Sequence, residues 1–158
     1  MEEVRTATVA DAERLGQLSE EFLAGIVSRR GGSLLVDGAA DPPGDLAPAE
    51  RLPALLGDAD RLVLVGTIDG AVTGFALCHL EEGGSHGRRG ILDACYVEPG
   101  ARGVGVGRLL MDTAVVWMEE QGCTGVDGTA LPGDREAKNF FESAGFKARM
   151  LTMYRALD

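Results

Sequence analysis

The stretch ILDACYVEPGARGVGVGRLL, residues 91–110, decides the fold. Ile91 to Val97 is apolar enough to predict a strand. A turn holding Arg102, Gly103, Gly105 and Gly107 follows, and a helix runs from Arg108 to about Gln121, with Gly122 where a left-handed C-cap falls. Glycines admit positive φ and let a ligand approach the backbone closely. The helix N-terminus offers unpaired N–H groups and a partial positive charge. Together they predict a cradle for phosphate oxygens, to which Arg102 and Arg108 add charge-assisted hydrogen bonds. The dinucleotide pattern G-x-G-x-x-G fails, because counted from Gly103 its last position is Arg108. The pattern G-x-x-x-x-G-K-[ST] is absent. What remains is R-x-x-G-x-G, Arg102 to Gly107, directly after a strand.

Working outward, Arg61 to Ile68 and Ala71 to Leu80 read as strands joined by Asp69-Gly70, a strong hairpin signal. Polar, glycine-rich Glu81 to Gly90 reads as an exposed, mobile loop. Upstream, Val4 to Val9 predicts a short strand. Asp11 to about Arg30 predicts a helix, with Leu15, Leu18, Phe22, Ile26 and Val27 at helical spacing and Gly31 and Gly32 ending it. Residues 37–48 carry Asp37, Gly38, Asp41, Pro42, Pro43, Gly44, Asp45 and Pro48 and read as a loop; Ala49 to Leu56 reads as a short helix. Downstream come a strand over Thr124 to Leu131, a helix over Asp134 to Ala144 and a final strand from Phe146 to about Arg155. The order β-α-α-β-β-β-α-β-α-β predicts one domain over residues 1–158. It is a mixed α/β sheet, antiparallel in the middle, with a crossover at 91–131 and helices on both faces.

A second stretch joins the first. Asp134 to Phe146, DREAKNFFESAGF, is similar to N-x-x-A-x-x-F-Y-x-x-x-G-F, matching at Ala137, Phe140, Gly145 and Phe146. With the R-x-x-G-x-G turn, one helix and one strand earlier, the chain resembles the GNAT superfamily of N-acetyltransferases. The element order matches over nearly the whole chain, and the specific motifs lie in residues 91–146.

The resemblance implies an acyl-CoA N-acyltransferase fold and an enzyme that moves the acetyl group of acetyl-CoA onto a primary amine of a small molecule or peptide. It implies that the backbone of Cys95, Tyr96 and Val97 bonds the acetyl carbonyl and pantetheine arm. The Val97 N–H then polarises the thioester and stabilises the forming oxyanion. Arg102, Gly103, Val104, Gly105, Val106, Gly107 and Arg108 would hold the pyrophosphate, mostly through main-chain N–H groups. Asp134, Ala137 and Lys138 would border the cofactor, with Lys138 or Arg135 meeting a phosphate, and Phe141 is counted with them.

Two positions depart from the pattern. Asp134 stands where the family often has Asn; it still caps a helix but has no amide donor. Phe141 stands where the family often has Tyr as general acid, and Phe has no proton to give. A thiol pKa of about 8.5 makes thiolate a tolerable leaving group near neutral pH; Tyr154, Cys95 or water are the substitutes in view. The mechanism implied is direct attack in a ternary complex. Asp93 is the first candidate base, inside an otherwise apolar strand where burial raises a carboxyl's pKa. Glu81, Glu82 and His79 are runners-up near the adjacent strand's end.

Composition narrows the classes. The chain has 158 residues, enough for one core, and a net charge of −10, which argues against a nucleic-acid partner and favours cationic substrates. No apolar run spans a bilayer and MEEVRTATVADAERL is no export signal, so the reading is cytoplasmic with no membrane partner. Cys78, Cys95 and Cys123 form no C-x-x-C pair and no His/Cys cluster, so neither a metal site nor a disulfide framework is expected. Trp117 lies with Leu110 and Ala114 and reads as core. His86 reads as a solvated loop residue, and Cys95 as buried rather than nucleophilic. The acidic run Asp37, Asp41, Asp45, Glu50, Asp58, Asp60 reads as a solvated face; the resemblance implies that the segment between the first helices walls the acceptor site, where these acids would attract a cationic substrate. The final strand, if exposed, offers an edge for a homodimer. A non-catalytic acyl-CoA-binding sensor is the alternative function, motivated by Phe141; transfer of a longer acyl chain is a third reading.

Overall fold

A computed structural model describes residues 1–37 and 44–158. Five strands form one sheet in chain order: β1 (Glu2–Thr6), β2 (Arg61–Ile68), β3 (Ala71–Glu82), β4 (Arg88–Val97) and β5 (Gly125–Gly128). The first four are antiparallel neighbours, and β4 and β5 are parallel. The helices are α1 (Ala12–Val27), α2 (Gly32–Val36), α3 (Arg51–Leu56), α4 (Val106–Glu120) and α5 (Arg135–Ser143). The β2–β3 hairpin turns at Asp69 (φ 49°) and Gly70 (φ 85°), left-handed at both central positions as its twist requires.

Alternation along the strands builds two cores. Val63, Val65, Phe75, Leu77 and Ala94 face α1, where Leu15 and Leu18 are fully buried and Phe22 packs edge-on against Phe75. Leu64, Ala76, Cys78, Leu92 and Val97 face α4, which inserts Val106, Leu110, Met111, Ala114 and Met118. The helix sits so close that a Cβ on Gly66 would collide with the Val106 side chain. Trp117 packs against this second core, as expected.

Several elements differ from the sequence reading. The region 81–90 is largely strand: Glu82 pairs with Arg88 and Glu81 with Arg89, leaving a tight turn at Gly84–His86. Opposite charges across the ladder, Arg88 Nε to Glu82 at 2.7 Å and Arg89 to Glu81 at 3.1 Å, hold polar side chains in a sheet. Gly31 (φ 78°) ends a helical stretch as expected, but Gly32 opens α2, giving α1, α2 and α3 before β2 among the described residues. Of the 37–48 loop, Gly38, Asp41, Pro42 and Pro43 lie outside the described residues; Asp37 ends α2, and 44–47 packs across α1, with Leu46 buried.

The final strand is the main correction. Residues 147–158 form no strand, and Met150, Leu151, Met153, Tyr154 and Leu157 are 78–88% exposed. The cause lies in β5, which is four residues long with glycine at both ends, so its outer edge offers few ladder partners. Fixing a further strand there costs about 1–2 kcal/mol per residue in backbone entropy with little ladder to offset it. Among the described residues, no helix is long and apolar enough to cross a membrane.

Candidate active site

Strand β4 carries an irregularity that positions its one carboxylate. Leu77 pairs with Ala94 and Cys78 with Leu92, so Asp93 is an extra residue on β4. In a regular strand Leu92 and Ala94 would share a face; here Leu92 joins the α4 core and Ala94 the α1 core. A bulge of this kind re-aims a side chain. It aims Asp93 at His79 on β3, with Oδ2 2.6 Å from Nδ1. The other ring nitrogen of His79 lies 2.9 Å from Glu81 Oε1. Glu81 in turn meets Arg89, and Arg89 and Arg149 both meet Asp127 on β5.

Exposure of these side chains rises outward, from 14% at Asp93 through 22% at His79 to 46% at Glu81. Burial pushes the Asp93 carboxyl above the usual carboxylate range, against the opposing pull of His79 and Arg61. Burial works against charge on His79 too. Its bonds to Asp93 and Glu81 outweigh that and hold the imidazole above its ordinary value. Among the described residues nothing bonds Asp93 Oδ1, and no buried side-chain polar atom lacks a partner. Oδ1 therefore faces solvent. The flank of this face is made by 44–47, since a Cβ on Gly44 would strike both Phe22 and Ala94. Tyr96 donates to Glu21 at 3.1 Å, and burial with that carboxylate raises its phenol's pKa.

The opposite end of β4 leads into the glycine turn. Gly103 (φ 87°) and Gly105 (φ 100°) are left-handed, and Gly105 is the N-cap of α4 with no side-chain cap. The first helical bond is Leu109 N–H to Gly105 carbonyl. Among the described residues no acceptor meets the N–H groups of Gly103 to Arg108. A Cβ at Gly103 or Gly105 would find nothing within 4 Å, so the space over these donors is open.

Helix α5 walls this turn. Arg102 reaches Glu136 at 3.4 Å, Arg108 donates to the Ser143 carbonyl at 3.1 Å, and Phe140 lies beside Gly107. Arg102 Nε also donates to the Val97 carbonyl at 2.7 Å, and its guanidinium lies 5.4 Å from the Tyr96 ring centroid. Both arginines therefore brace the turn within the protein. Asp134 caps α5 by accepting from Ala137 N–H at 3.1 Å and pairs with Arg29 at 3.4 Å. Lys138 is exposed and 3.8 Å from Glu142.

The sequence profile of the acetyltransferase (GNAT) family matches residues 34–146. The chain belongs to this family. Aminoglycoside N(6')-acetyltransferase type 1 of Stenotrophomonas maltophilia is 30% identical over 112 residues, covering 68% of this chain and 73% of that protein. Among solved structures, ribosomal-protein-alanine N-acetyltransferase from Brucella melitensis biovar Abortus 2308 superposes with a TM-score of 0.70 at 19% identity, each chain wholly covered. AAC(6')-Iy, in complex with the bisubstrate analogue CoA-S-monomethyl-acetylneamine, superposes with a TM-score of 0.71 at 19% identity, covering 100% of this chain and 99% of that one. At that identity the likeness is one of fold.

This GNAT chain is an acyl-CoA-dependent N-acetyltransferase. The structure brings Asp93, His79 and Glu81 together, whereas Glu82 bonds Arg88 at the hairpin end and is 73% exposed. Burial pushes the Cys95 thiol up to about 12, and Cys78 is raised further by the same cause. Phe141 packs edge-on against Phe146, its ring filling the space above Gly128. Tyr154 lies on the exposed C-terminal segment. Arg89 and Asp127 join the Asp93 cluster without belonging to any motif. The only sequence signal for them is opposite charge on strands that turn out to be neighbours.

Proposed function

We propose that this enzyme acetylates a primary amine of a small, polycationic, aminosugar-like molecule by direct attack on acetyl-CoA, with Asp93 as general base. The single observation carrying the reading is the bulged, largely buried Asp93 carboxylate, one oxygen anchored by His79 and the other open. An ammonium of pKa about 10 must lose a proton before its nitrogen can attack, and a carboxylate raised by burial is suited to take it. The aminoglycoside relative and the net charge of −10 support a cationic small molecule as the acceptor.

The open N–H groups of Gly103 to Arg108 fit a diphosphate, and the turn's glycines leave room for it. In this reading the arginines, being braced internally, set the shape of the turn while its main chain binds the oxygens. The Val97 backbone lies beside the thioester and polarises it, with Cys95 and Tyr96 along the pantetheine arm and Asp134, Ala137, Lys138 and Phe141 on the α5 side. Cys95, with its thiol so hard to ionise, is a poor acyl carrier, which favours a ternary complex. Phe141 supplies no proton, so the group leaves as thiolate.

The test is thiol release from acetyl-CoA in the presence of aminoglycosides, polyamines and N-terminal peptides. Amine-dependent release highest with aminosugars is expected. Binding of acetyl-CoA without amine-dependent release would favour a sensor and overturn the enzyme mechanism.

A further inference from the structure

Both ring nitrogens of His79 lie against carboxylate oxygens, Nδ1 at 2.6 Å from Asp93 and Nε2 at 2.9 Å from Glu81. A carboxylate only accepts, so a neutral imidazole would set one nitrogen lone pair against an oxygen lone pair. That repulsion is removed if each nitrogen carries a proton or if a carboxyl carries one, and the bonds to Asp93 and Glu81 hold the imidazole above its ordinary value, on the side of the doubly protonated ring. We propose that His79 rests as an imidazolium and is the positioning residue that keeps Asp93 ionised and turns its Oδ1 toward the acceptor amine. This deepens the reading of Asp93 as base and rests on it.

The surroundings agree with the assignment. Asp93 is the extra residue of a bulge and lacks the regular ladder position that would fix its side chain, so its anchor must come from a neighbouring strand. His79 provides it from β3, directly opposite Ile91. The charges around the imidazole come from each adjoining strand: Asp93 and Arg89 on β4, Glu81 on β3, Arg61 on β2 and Asp127 on β5. Arg89 bridges Glu81 to Asp127, which holds the Glu81 carboxylate in place beside Nε2. Without the imidazolium the largely buried Asp93 would face its burial penalty with only the more distant Arg61 to oppose it, and it would bind a proton more readily. A protonated Asp93 cannot accept from an ammonium group.

The chain has two histidines, so imidazole NMR resolves His79 from His86 once His86→Gln assigns the second signal. Expected is a His79 ring protonated on both nitrogens at neutral pH, titrating above an ordinary imidazole, with Asp93→Asn and Glu81→Gln each moving its titration down. A singly protonated ring at neutral pH, or a titration that ignores Asp93→Asn, overturns the proposal without reference to catalysis. The functional arm is the pH profile of kcat/KM for His79→Gln. Its acid limb should move to higher pH, with kcat falling about tenfold below neutrality, the size of one lost charge-assisted hydrogen bond, and with KM for acetyl-CoA unchanged. Glu81→Gln should move the limb the same way by less, and it serves if His79→Gln does not fold. Activity falling equally at every pH would mark a merely structural His79 and overturn the role. If wild-type protein shows the imidazolium yet releases no thiol with any amine, the acetyl-transfer reading fails while the charge state stands.

Discussion

Replacing Gly105 with Ala separates the cost of backbone strain from the loss of a ligand site. Gly105 has φ 100° and caps α4, and an added methyl would touch no protein atom within 4 Å. The protein therefore pays only the left-handed penalty of an L-residue, about 1–2 kcal/mol, which in a chain of this size lowers Tm by roughly 2–8 °C. The methyl occupies the space over the free N–H groups, where a diphosphate oxygen would lie. Displacing one or two charge-assisted hydrogen bonds of about 1.5–3 kcal/mol each weakens binding by roughly tenfold to ten-thousandfold. Gly122→Ala is the matched control, with φ 79°, open space around its Cβ and a position at the far end of the 15-residue α4, roughly 22 Å away at 1.5 Å per residue. Calorimetry with coenzyme A and thermal melts read both effects. The expected result is a similar Tm loss in both variants and weakened coenzyme A binding in Gly105→Ala alone. Coenzyme A affinity within twofold of wild type in Gly105→Ala would refute the cradle.

Asp93→Asn should lower kcat/KM by about a hundredfold or more, the usual worth of a general base, while calorimetric affinity for acetyl-CoA stays unchanged. Initial rates at varied amine and acetyl-CoA should give intersecting double-reciprocal lines; parallel lines would point to an acyl-enzyme and against direct attack. Arg5 holds Asp11 through bonds of 2.8 and 2.9 Å and Thr8 N–H adds another of 2.8 Å, so the Asp11 carboxyl titrates below its ordinary range, its bond to Arg5 being the main cause. A depressed folded-state pKa stabilises above the unfolded value and is lost as pH falls through the folded one. Asp11→Ala should thus cost about 2 kcal/mol at neutral pH, and the Tm gap to wild type should close on acidification below about pH 4. Deleting residues 148–158 removes Met150, Leu151, Met153, Tyr154 and Leu157. If these exposed side chains bury against a second copy, light scattering should give twice the 16.6 kDa chain mass for the full protein and a monomer for the deletion.

What was legible in the sequence was whatever the backbone itself demands. Asp69-Gly70, Gly103 and Gly105 announced their turns because few other residues tolerate φ above zero there. The α1 and α4 stripes announced two faces because helical spacing places one side toward the sheet. Polarity misled at 81–90, where Glu81, Glu82, Arg88 and Arg89 are strand residues held by cross-strand pairing that composition cannot reveal. It misled in the opposite sense at 146–155, where apolar side chains suggested a strand although β5 offers four residues to pair with. Asp134 capped α5 as its type and position indicated. Asp93 was visible as a lone acid in an apolar strand, but its partner was not, because His79 precedes it by fourteen residues and meets it only through the register of β3 on β4.

That register explains how one strand can carry both parts of the proposed site. A regular strand sends alternate side chains to opposite faces, so Leu92, Ala94 and Tyr96 would all share one. The extra residue at Asp93 breaks the sequence: Leu92 packs under α4, while Ala94 and Tyr96 turn toward α1 and the 44–47 flank. Beyond the bulge, Cys95 and Val97 face α4 and run into the glycine turn. The base candidate thus sits on the ladder itself, and the candidate cradle lies in the turn that this same strand feeds into α4. A one-residue slip of β4 on β3 would exchange the faces of every side chain beyond it. The geometry of the site is therefore held by the same hydrogen bonds that hold the sheet, which is why the position of Asp93 follows from strand pairing and not from any local motif.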